Sequence, residues 1–172
     1  MVKVATWSRV AEELLATRYA ALVAYANMLT AGDRATAEDI TQDALVRVFG
    51  TTRRFEGVAH AEYYVRRAIL SIFLDHTRRR GGAAEVPARA DDFHRLLAEL
   101  TPQERACVIL RYVDDFTTAQ IAERMRLRSG TVKRYLLNTS TRLATALGAD
   151  GPLDDVSRIS VVAHARPTRR ET

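Results

Sequence analysis

The sequence predicts an all-α protein in which two small helical domains are joined by a flexible linker. Apolar residues recur at spacings of three and four along most of the chain, which is the pattern of amphipathic helices. Only 7% of the 172 residues are aromatic, which argues against one large sheet-built core. The segment GGAAEVPARADD, residues 81–92, combines glycine, proline and charge without apolar periodicity. We therefore predict domains at 1–80 and 93–147, a linker at 81–92 and a C-terminal tail at 148–172.

The first domain is predicted to open with one long helix, or a helix pair, and to continue with two further helices. The opening segment carries the apolar residues Val10, Leu14, Leu15, Leu22, Val23 and Ala26. The capping-box pattern Thr36-Ala37-Glu38-Asp39 predicts the start of the next helix, with the buried face Ile40, Ala44, Leu45, Val48 and Phe49. After a loop at 51–60, a third helix ends at Arg78-Arg79-Arg80-Gly81-Gly82 and has the apolar face Val65, Ala68, Ile69, Ile72, Phe73 and His76.

The second domain has the pattern of one helix followed by a helix-turn-helix. Thr101-Pro102-Gln103-Glu104 places an N-cap, a first-turn proline and a capping glutamate before the predicted core stripe Val108, Ile109, Tyr112 and Val113. A second capping box, Thr117-Thr118-Ala119-Gln120, predicts a short helix that buries Ile121, Ala122 and Met125. Ser129 is predicted to cap a basic helix with the apolar residues Val132, Leu136, Leu143 and Leu147. Two helices joined by a short turn, the second of them basic, are typical of a helix-turn-helix.

Positive charge is concentrated in two stretches. The net charge is +5, and residues 124–142 contain six basic residues and no acid. Residues 66–80 contain five arginines and one aspartate. Two basic stretches of helical character indicate two contacts with a polyanion, although a single basic run is also typical of a solvated face. A charged three-helix bundle is the alternative to a DNA-binding second domain, and the absence of acid over 124–142 favours DNA.

Several function classes lack the residues they need. The sequence has no signal-peptide core and no apolar run of about 18 residues, which predicts a cytoplasmic protein. The single cysteine, Cys107, is predicted to serve packing, and the four dispersed histidines show no metal-ligand spacing. No Ser-His-Asp, paired-carboxylate or Gly-rich phosphate signature occurs. We therefore expect no enzyme activity, metal, cofactor or small-molecule substrate.

Three surfaces are candidate binding sites. The first turn of the basic helix would present Gly130, Thr131, Lys133 and Arg134 to a major groove. Opposite the buried face of the second helix lie Asp39, Gln42, Asp43 and Val46, which are either solvated or a docking face for a basic helix. The third surface mixes aromatic and basic residues, as core-edge packing or as a platform for single-stranded nucleic acid, with Tyr63, Tyr64, Arg66, Arg67 and Ser71.

Three segments in order resemble the extracytoplasmic-function group of the sigma-70 family. They are AEDITQDALVRVF, YVRRAILSIFLDHTRRR and LTPQERACVILRYVDDFTTAQIAERMRLRSGTVKRYL, and the resemblance spans about residues 10–147. It implies a dissociable promoter-specificity subunit of bacterial RNA polymerase, which directs core polymerase to promoters and assists melting of the −10 element. It also implies sigma region 2 at 1–80, for polymerase docking and −10 recognition, and sigma region 4 at 93–147, for −35 recognition.

The resemblance assigns roles to the candidate residues. Core polymerase binding falls to Asp39, Gln42 and Asp43. Binding of the −10 single strand falls to Tyr63, Tyr64, Arg66, Arg67, Ser71, Arg78, Arg79 and Arg80, with loop residues from Phe55 to His60 holding a flipped base. Binding of the −35 duplex falls to Arg128, Ser129, Thr131, Lys133, Arg134, Tyr135 and Asn138.

The chain departs from the family pattern at five of its positions. Ser71 stands where members usually have Asn, and Arg126 stands at a turn position that is usually Gly. A left-handed turn at Arg126 would cost about 1 kcal/mol. Arg128 replaces the usual capping Ser, and Tyr135 and Asn138 replace arginines. The departure at Ser71 concerns base preference on the melted −10 strand. The four departures in the second domain predict an unusual −35 sequence or weak binding to it.

Other functions and partners stay open at the level of the sequence. The alternative function is a helix-turn-helix transcriptional regulator that acts without core polymerase and uses the first domain for dimerisation or sensing. A helical protein that sequesters another regulator would not need a basic recognition helix. An anti-sigma factor is a further candidate partner. The tail at 148–172 is a candidate regulatory segment, because Asp150, Asp154 and Asp155 could reach the basic stretch, and a disordered tail without a role is the alternative.

Overall fold

Helices are the only regular secondary structure in residues 2–51, 54–81 and 92–146, which are the residues that this computed structural model describes. This confirms the all-α prediction. The chain divides into two compact units, unit 1 (Met1–Pro102) and unit 2 (Gln103–Thr172). Most of the predicted linker, Leu147 and the tail from residue 148 lie outside the described residues.

Unit 1 is built on three mutually packed helices. They are α1 (Val2–Leu29), α2 (Arg34–Phe49) and α3 (Val58–Arg79), and each packs against the other two. The opening segment is therefore one long helix and not a pair. Fully buried side chains on α1 and α3 form the centre of the unit: Leu14, Leu22, Ala26, Leu29, Val65 and Ile69. From α2, Ala37, Ile40, Thr41, Ala44 and Val48 complete it.

The α2 helix begins earlier than predicted. Its N-cap is Asp33, whereas the predicted N-cap was Thr36. Gly32 has φ 93° and donates its backbone N–H to the carbonyl of Asn27 at 2.9 Å, which ends α1. Asp33 is the N-cap of α2, and its carboxylate accepts from the backbone N–H and from the hydroxyl of Thr36 at 3.1 and 2.6 Å. The prediction of a capping box at Thr36 was therefore wrong. Asp33 is the stronger cap because its carboxylate satisfies a free first-turn N–H.

A short fourth helix, α4 (Asp92–Ala98), contacts α1 and belongs to unit 1. The His94 Nε2 atom lies 3.0 Å from the Nδ2 atom of Asn27. A side chain at Gly32 would approach the Cβ of His94 to 3.2 Å, so α4 packs closely on the end of α1. The predicted second domain starts at residue 93, ten residues before unit 2, so α4 lies in that predicted domain although it packs on α1.

Unit 2 contains α5 (Pro102–Tyr112), α6 (Thr118–Met125) and α7 (Ser129–Ala146). The α6 and α7 helices pack against each other. The Sγ atom of Cys107 on α5 lies 3.4 Å from Sδ of Met125 on α6, and Arg142 on α7 forms an ion pair with the nearly buried Glu104 on α5 at 3.3 Å. The buried side chains of the unit include Ala106, Cys107, Ile109, Leu110, Ile121, Ala122, Val132, Leu143 and Ala144.

The buried face of α5 differs from the predicted stripe. Tyr112, predicted to lie in the core, is 40% exposed, and Val108 and Val113 are half-buried. The neighbouring residue Arg105 is 1% exposed, and burial lowers the pKa of its guanidinium to about 10, so it stays protonated at neutral pH. The α5 helix therefore turns a different side towards the core than its apolar spacing indicated.

The turn between α6 and α7 contains a left-handed residue at the position where the family resemblance implies glycine. Thr117 caps α6 in a complete capping box with Gln120, as predicted. Arg126 follows α6 with φ 56° and ψ 44°, in the left-handed region. The residue before α7 is Arg128, whose carbonyl accepts from the N–H groups of Thr131 and Val132. Ser129 is the first residue of α7 and not its cap.

Candidate nucleic-acid interfaces

The α2 helix presents an acidic face to solvent. Asp39, Gln42 and Asp43 are exposed, and Val46, one turn further on, is 72% exposed. Neither aspartate forms an ion pair with another residue in the described part of the chain. Negative charge on an ordered helix, opposite the buried Ile40 and Ala44, is therefore available to a basic partner.

On α3, three of the predicted residues form one exposed stripe. Tyr63, Arg67 and Ser71 are exposed and follow each other at intervals of four, which places them along one side of the helix. Tyr63 is 43% exposed, so part of its side chain is accessible to solvent. The stripe leads to the exposed arginines at the end of the helix, Arg78, Arg79 and Arg80.

Arg66 is not part of this stripe. Its guanidinium forms an ion pair with Glu62 at 2.8 Å and lies over the ring of Tyr25, 5.1 Å from its centroid. The same carboxylate lies 3.5 Å from the Nε atom of Arg18 on α1. Glu62 therefore bridges Arg66 and Arg18, and Arg66 contributes to the packing of α1 on α3. The spacing of Glu62 and Arg66, four residues apart, was the signal in the sequence that could have indicated this pair.

Tyr64 lies inside an aromatic cluster together with residues from the loop before α3. Its ring centroid lies 5.1 Å from that of His60 and 6.0 Å from that of Phe55, and the Tyr63 ring packs edge-on against it at 5.3 Å. Phe55, only 8% exposed, also packs against Phe49 at 5.3 Å. Phe55 is therefore a core residue that supports the tyrosines and does not offer an open ring to a flipped base.

The α7 helix presents most of its predicted residues to solvent. Arg128, Ser129, Lys133, Arg134 and Asn138 are exposed, whereas Thr131 and Tyr135 are half-buried. The Arg134 guanidinium lies 5.9 Å from the ring centroid of Tyr135. No acidic side chain belongs to α7, so the charge on this face is entirely basic.

One exposed residue of α7 was missed. Leu137 is 61% exposed and lies on the basic face, although its neighbour Leu136 had been predicted for the core. Leu136 is half-buried, as expected for the apolar side of the helix. The missed signal was the second leucine of a Leu-Leu pair, which a helix necessarily rotates by about 100° away from the first.

The described part of the chain contains no candidate metal site and no candidate membrane-spanning helix. No group of three or more His, Cys, Asp or Glu side chains in residues 2–51, 54–81 and 92–146 could hold a metal ion. In the same residues, no helix has the length and apolarity to cross a membrane. Burial, with a smaller contribution from Glu104, raises the pKa of the Cys107 thiol to about 12, so the thiol stays protonated.

Comparison with known proteins matches both units. Residues 14–82 match the sigma-70 region 2 family and residues 90–143 match the sigma-70 region 4 family. The RNA polymerase sigma-E factor of Streptomyces avermitilis is 32% identical over 155 residues, which cover 79% of this chain and 84% of that relative. The sigma-E factor of Streptomyces coelicolor is 30% identical, covering 80% and 86% of the two chains.

Two further similarities involve proteins of the same kind. The ECF RNA polymerase sigma factor SigE of Mycolicibacterium smegmatis is 26% identical, covering 59% of this chain and 48% of that relative. The sigma factor RpoE of Bartonella quintana, solved in complex with the anti-sigma factor NepR, has the same fold with a TM-score of 0.61 at 24% identity. That match covers 81% of this chain and 98% of the solved one.

The two units define a class of protein, a two-domain transcription initiation factor with a helix-turn-helix in its second unit. The chain belongs to the extracytoplasmic-function group of the sigma-70 family, and it functions as a sigma factor of RNA polymerase.

Proposed function

We propose that this sigma factor uses three separate surfaces: the acidic face of α2 for core RNA polymerase, the α3 stripe for the −10 single strand and the exposed face of α7 for the −35 duplex. The observation that carries the proposal is the chemical difference between them. The α2 face has two exposed aspartates, the α3 stripe combines an exposed tyrosine with an exposed arginine, and the α7 helix has basic residues and no acid. The α2 face suits a basic protein helix, and the α3 stripe suits unstacked bases beside phosphates. The α7 face suits the groove of a duplex.

The α2 assignment is tested by replacing Asp39 and Gln42 with Ala in the full chain. We expect core polymerase affinity to fall by at least about 1 kcal/mol, as for contacts at the centre of an interface. Both side chains are exposed, so the free energy of unfolding should change by less than about 0.5 kcal/mol. The measurements are affinity for purified core polymerase and thermal unfolding of the free chain.

A matched control replaces Glu13 and Thr17 on α1, another exposed pair of one acid and one neutral polar residue in the same unit. The control should bind polymerase like the parent chain. Parent-like affinity of the folded Asp39 and Gln42 double variant would contradict the docking assignment.

We further propose that the chain is not itself an enzyme and acts in the cytoplasm together with core polymerase. The Bartonella quintana relative is bound to an anti-sigma factor, which supports a similar partner here.

The tail after Leu147 is a second candidate regulator. Truncation after Leu147 should leave the melting temperature near that of the full chain and change run-off transcription. Unchanged transcription would leave the tail without a regulatory role.

A further inference from the structure

We propose that Leu137 selects a thymine in the −35 duplex by contact with the thymine 5-methyl group. This inference rests on the proposed placement of α7 at that duplex. Leu137 is 61% exposed. Single exposed leucines are common on protein surfaces, so exposure alone does not carry the proposal. The argument comes from where Leu137 lies and what surrounds it.

Leu137 lies in the exposed arc of α7, between the directions of Lys133 and Gly130. At about 100° per residue, Gly130, Arg134, Leu137 and Thr141 fall within an arc of about 60°. All four are exposed. Lys133 and Asn138 are exposed on the two sides of this arc. A ligand that lies along this arc from Gly130 to Thr141 must therefore meet the Leu137 side chain.

The chemistry of the arc determines which DNA groups can meet it. Arg134 and Lys133 can donate to guanine O6 and N7 or to phosphates, and Asn138 can pair with adenine N6 and N7. Leu137 has no polar atom beyond its backbone, and the major-groove edge of the bases offers one matching apolar group, the thymine methyl. A solvent-exposed leucine inside a polar arc is therefore a reader of thymine.

A protein partner would be the other occupant of this face. A protein interface usually has a contiguous apolar core, with charged residues depleted there. On α7, Leu137 is flanked by charged and polar side chains, and the other large exposed apolar residue of unit 2 among the described residues is Tyr112, on α5. One isolated leucine matches one methyl group better than it matches a protein surface.

The experiment measures sequence preference with the complete holoenzyme. Core polymerase carrying the parent chain or Leu137→Ala selects duplexes from a library that is randomised over the −35 element. The parent should enrich a thymine at one position that Leu137→Ala no longer enriches, while preferences at the other positions persist. Leu15→Ala removes a comparably exposed leucine from α1, 46% exposed, and should retain every preference.

Atomic substitution in the DNA then isolates the methyl group. Replacing the selected deoxythymidine by deoxyuridine removes only the 5-methyl, which should weaken parent holoenzyme binding by about fourfold, the effect of one buried methylene-sized group. Leu137→Ala holoenzyme should bind the two duplexes equally. Equal binding by the parent, or an unchanged thymine preference in Leu137→Ala, would overturn the inference and favour a protein partner at Leu137. Failure of the parent holoenzyme to enrich any −35 sequence would instead overturn the placement of α7 on which the inference rests.

Discussion

The two basic helices, α3 in unit 1 and α7 in unit 2, carry positive charge in different ways. On α3, the exposed Arg67 follows the exposed Tyr63 by one turn, while Arg66 forms an ion pair with Glu62 and lies over the Tyr25 ring of α1. On α7, no acid opposes Lys133 and Arg134, and the exposed side chains around them are polar apart from Leu137. The number of arginines in a helix therefore does not give the number of charges that a ligand can reach.

The difference shows that the residues next to the arginines determine which form of DNA each helix suits. Open aromatic rings suit unstacked bases, because every base has a face on which a ring can stack. A regular helix with small residues at its start suits a duplex groove, because the helix must approach the base edges. Four experiments can break or sharpen this comparison.

The largest expected effect is on the cores that hold the two helices in place. Ile69 on α3 and Ile121 on α6 are both fully buried, and replacement of either by Ala should cost about 2–5 kcal/mol of unfolding free energy. Segment-resolved hydrogen exchange should locate the loss in α1–α3 for Ile69→Ala and in α5–α7 for Ile121→Ala. Equal loss in both units from either change would show that they unfold as one.

The next effect is on single-stranded DNA. Tyr63→Ala should weaken binding of the −10 single strand by about 1–3 kcal/mol, because one stacked ring is lost, and should leave −35 duplex binding unchanged. Tyr112→Ala is the matched control, since Tyr112 is 40% exposed and Tyr63 43% exposed. Fluorescence anisotropy with both probes measures the two affinities. A loss of the same size from Tyr112→Ala would refute the stacking role of Tyr63.

The salt dependence of DNA affinity shows which arginines contact phosphates. Arg134→Ala should reduce the slope of log affinity against log salt by about 0.9 on duplex DNA, and Arg67→Ala by about 0.7 on a single strand. Arg66→Ala should leave the single-strand slope unchanged, because Glu62 already neutralises its guanidinium. Titrations at several salt concentrations give the slopes. If Arg66→Ala reduced the single-strand slope as much as Arg67→Ala does, Arg66 would also contact the DNA.

The smallest effect is at the turn of the helix-turn-helix. Arg126→Gly should stabilise unit 2 by up to about 1 kcal/mol, since glycine adopts φ 56° without strain and this gain exceeds its greater freedom in the unfolded chain. Asp115→Gly, at φ 54°, should gain less because aspartate tolerates the left-handed region better. Thermal unfolding measures both changes. Destabilisation by Arg126→Gly would show that the arginine side chain contributes more than the turn costs.

Local signals predicted much of the fold. The capping box at Thr117 and the proline that begins α5 were read correctly because a cap involves residues only three positions apart. The start of α2 was misplaced because two caps competed, and the turn at Gly32 favoured Asp33. The exposure of Tyr112 could not be read from spacing, because spacing shows that a helix has an apolar side but not which neighbours cover it.

The sequence by itself determined the all-helical class, the helix-turn-helix and the two basic stretches, since caps, periodicity and charge depend on neighbouring residues. The left-handed turn at Arg126 was implied by the family resemblance. Only the tertiary structure decided which of those residues are available. In the tertiary structure, α4 packs on α1, and Arg66 forms an ion pair with Glu62 and lies over the Tyr25 ring. Leu137 is exposed on the basic face of α7. The physical reason is that burial and ion pairing depend on side chains brought together from distant parts of the chain, and local patterns do not specify that arrangement.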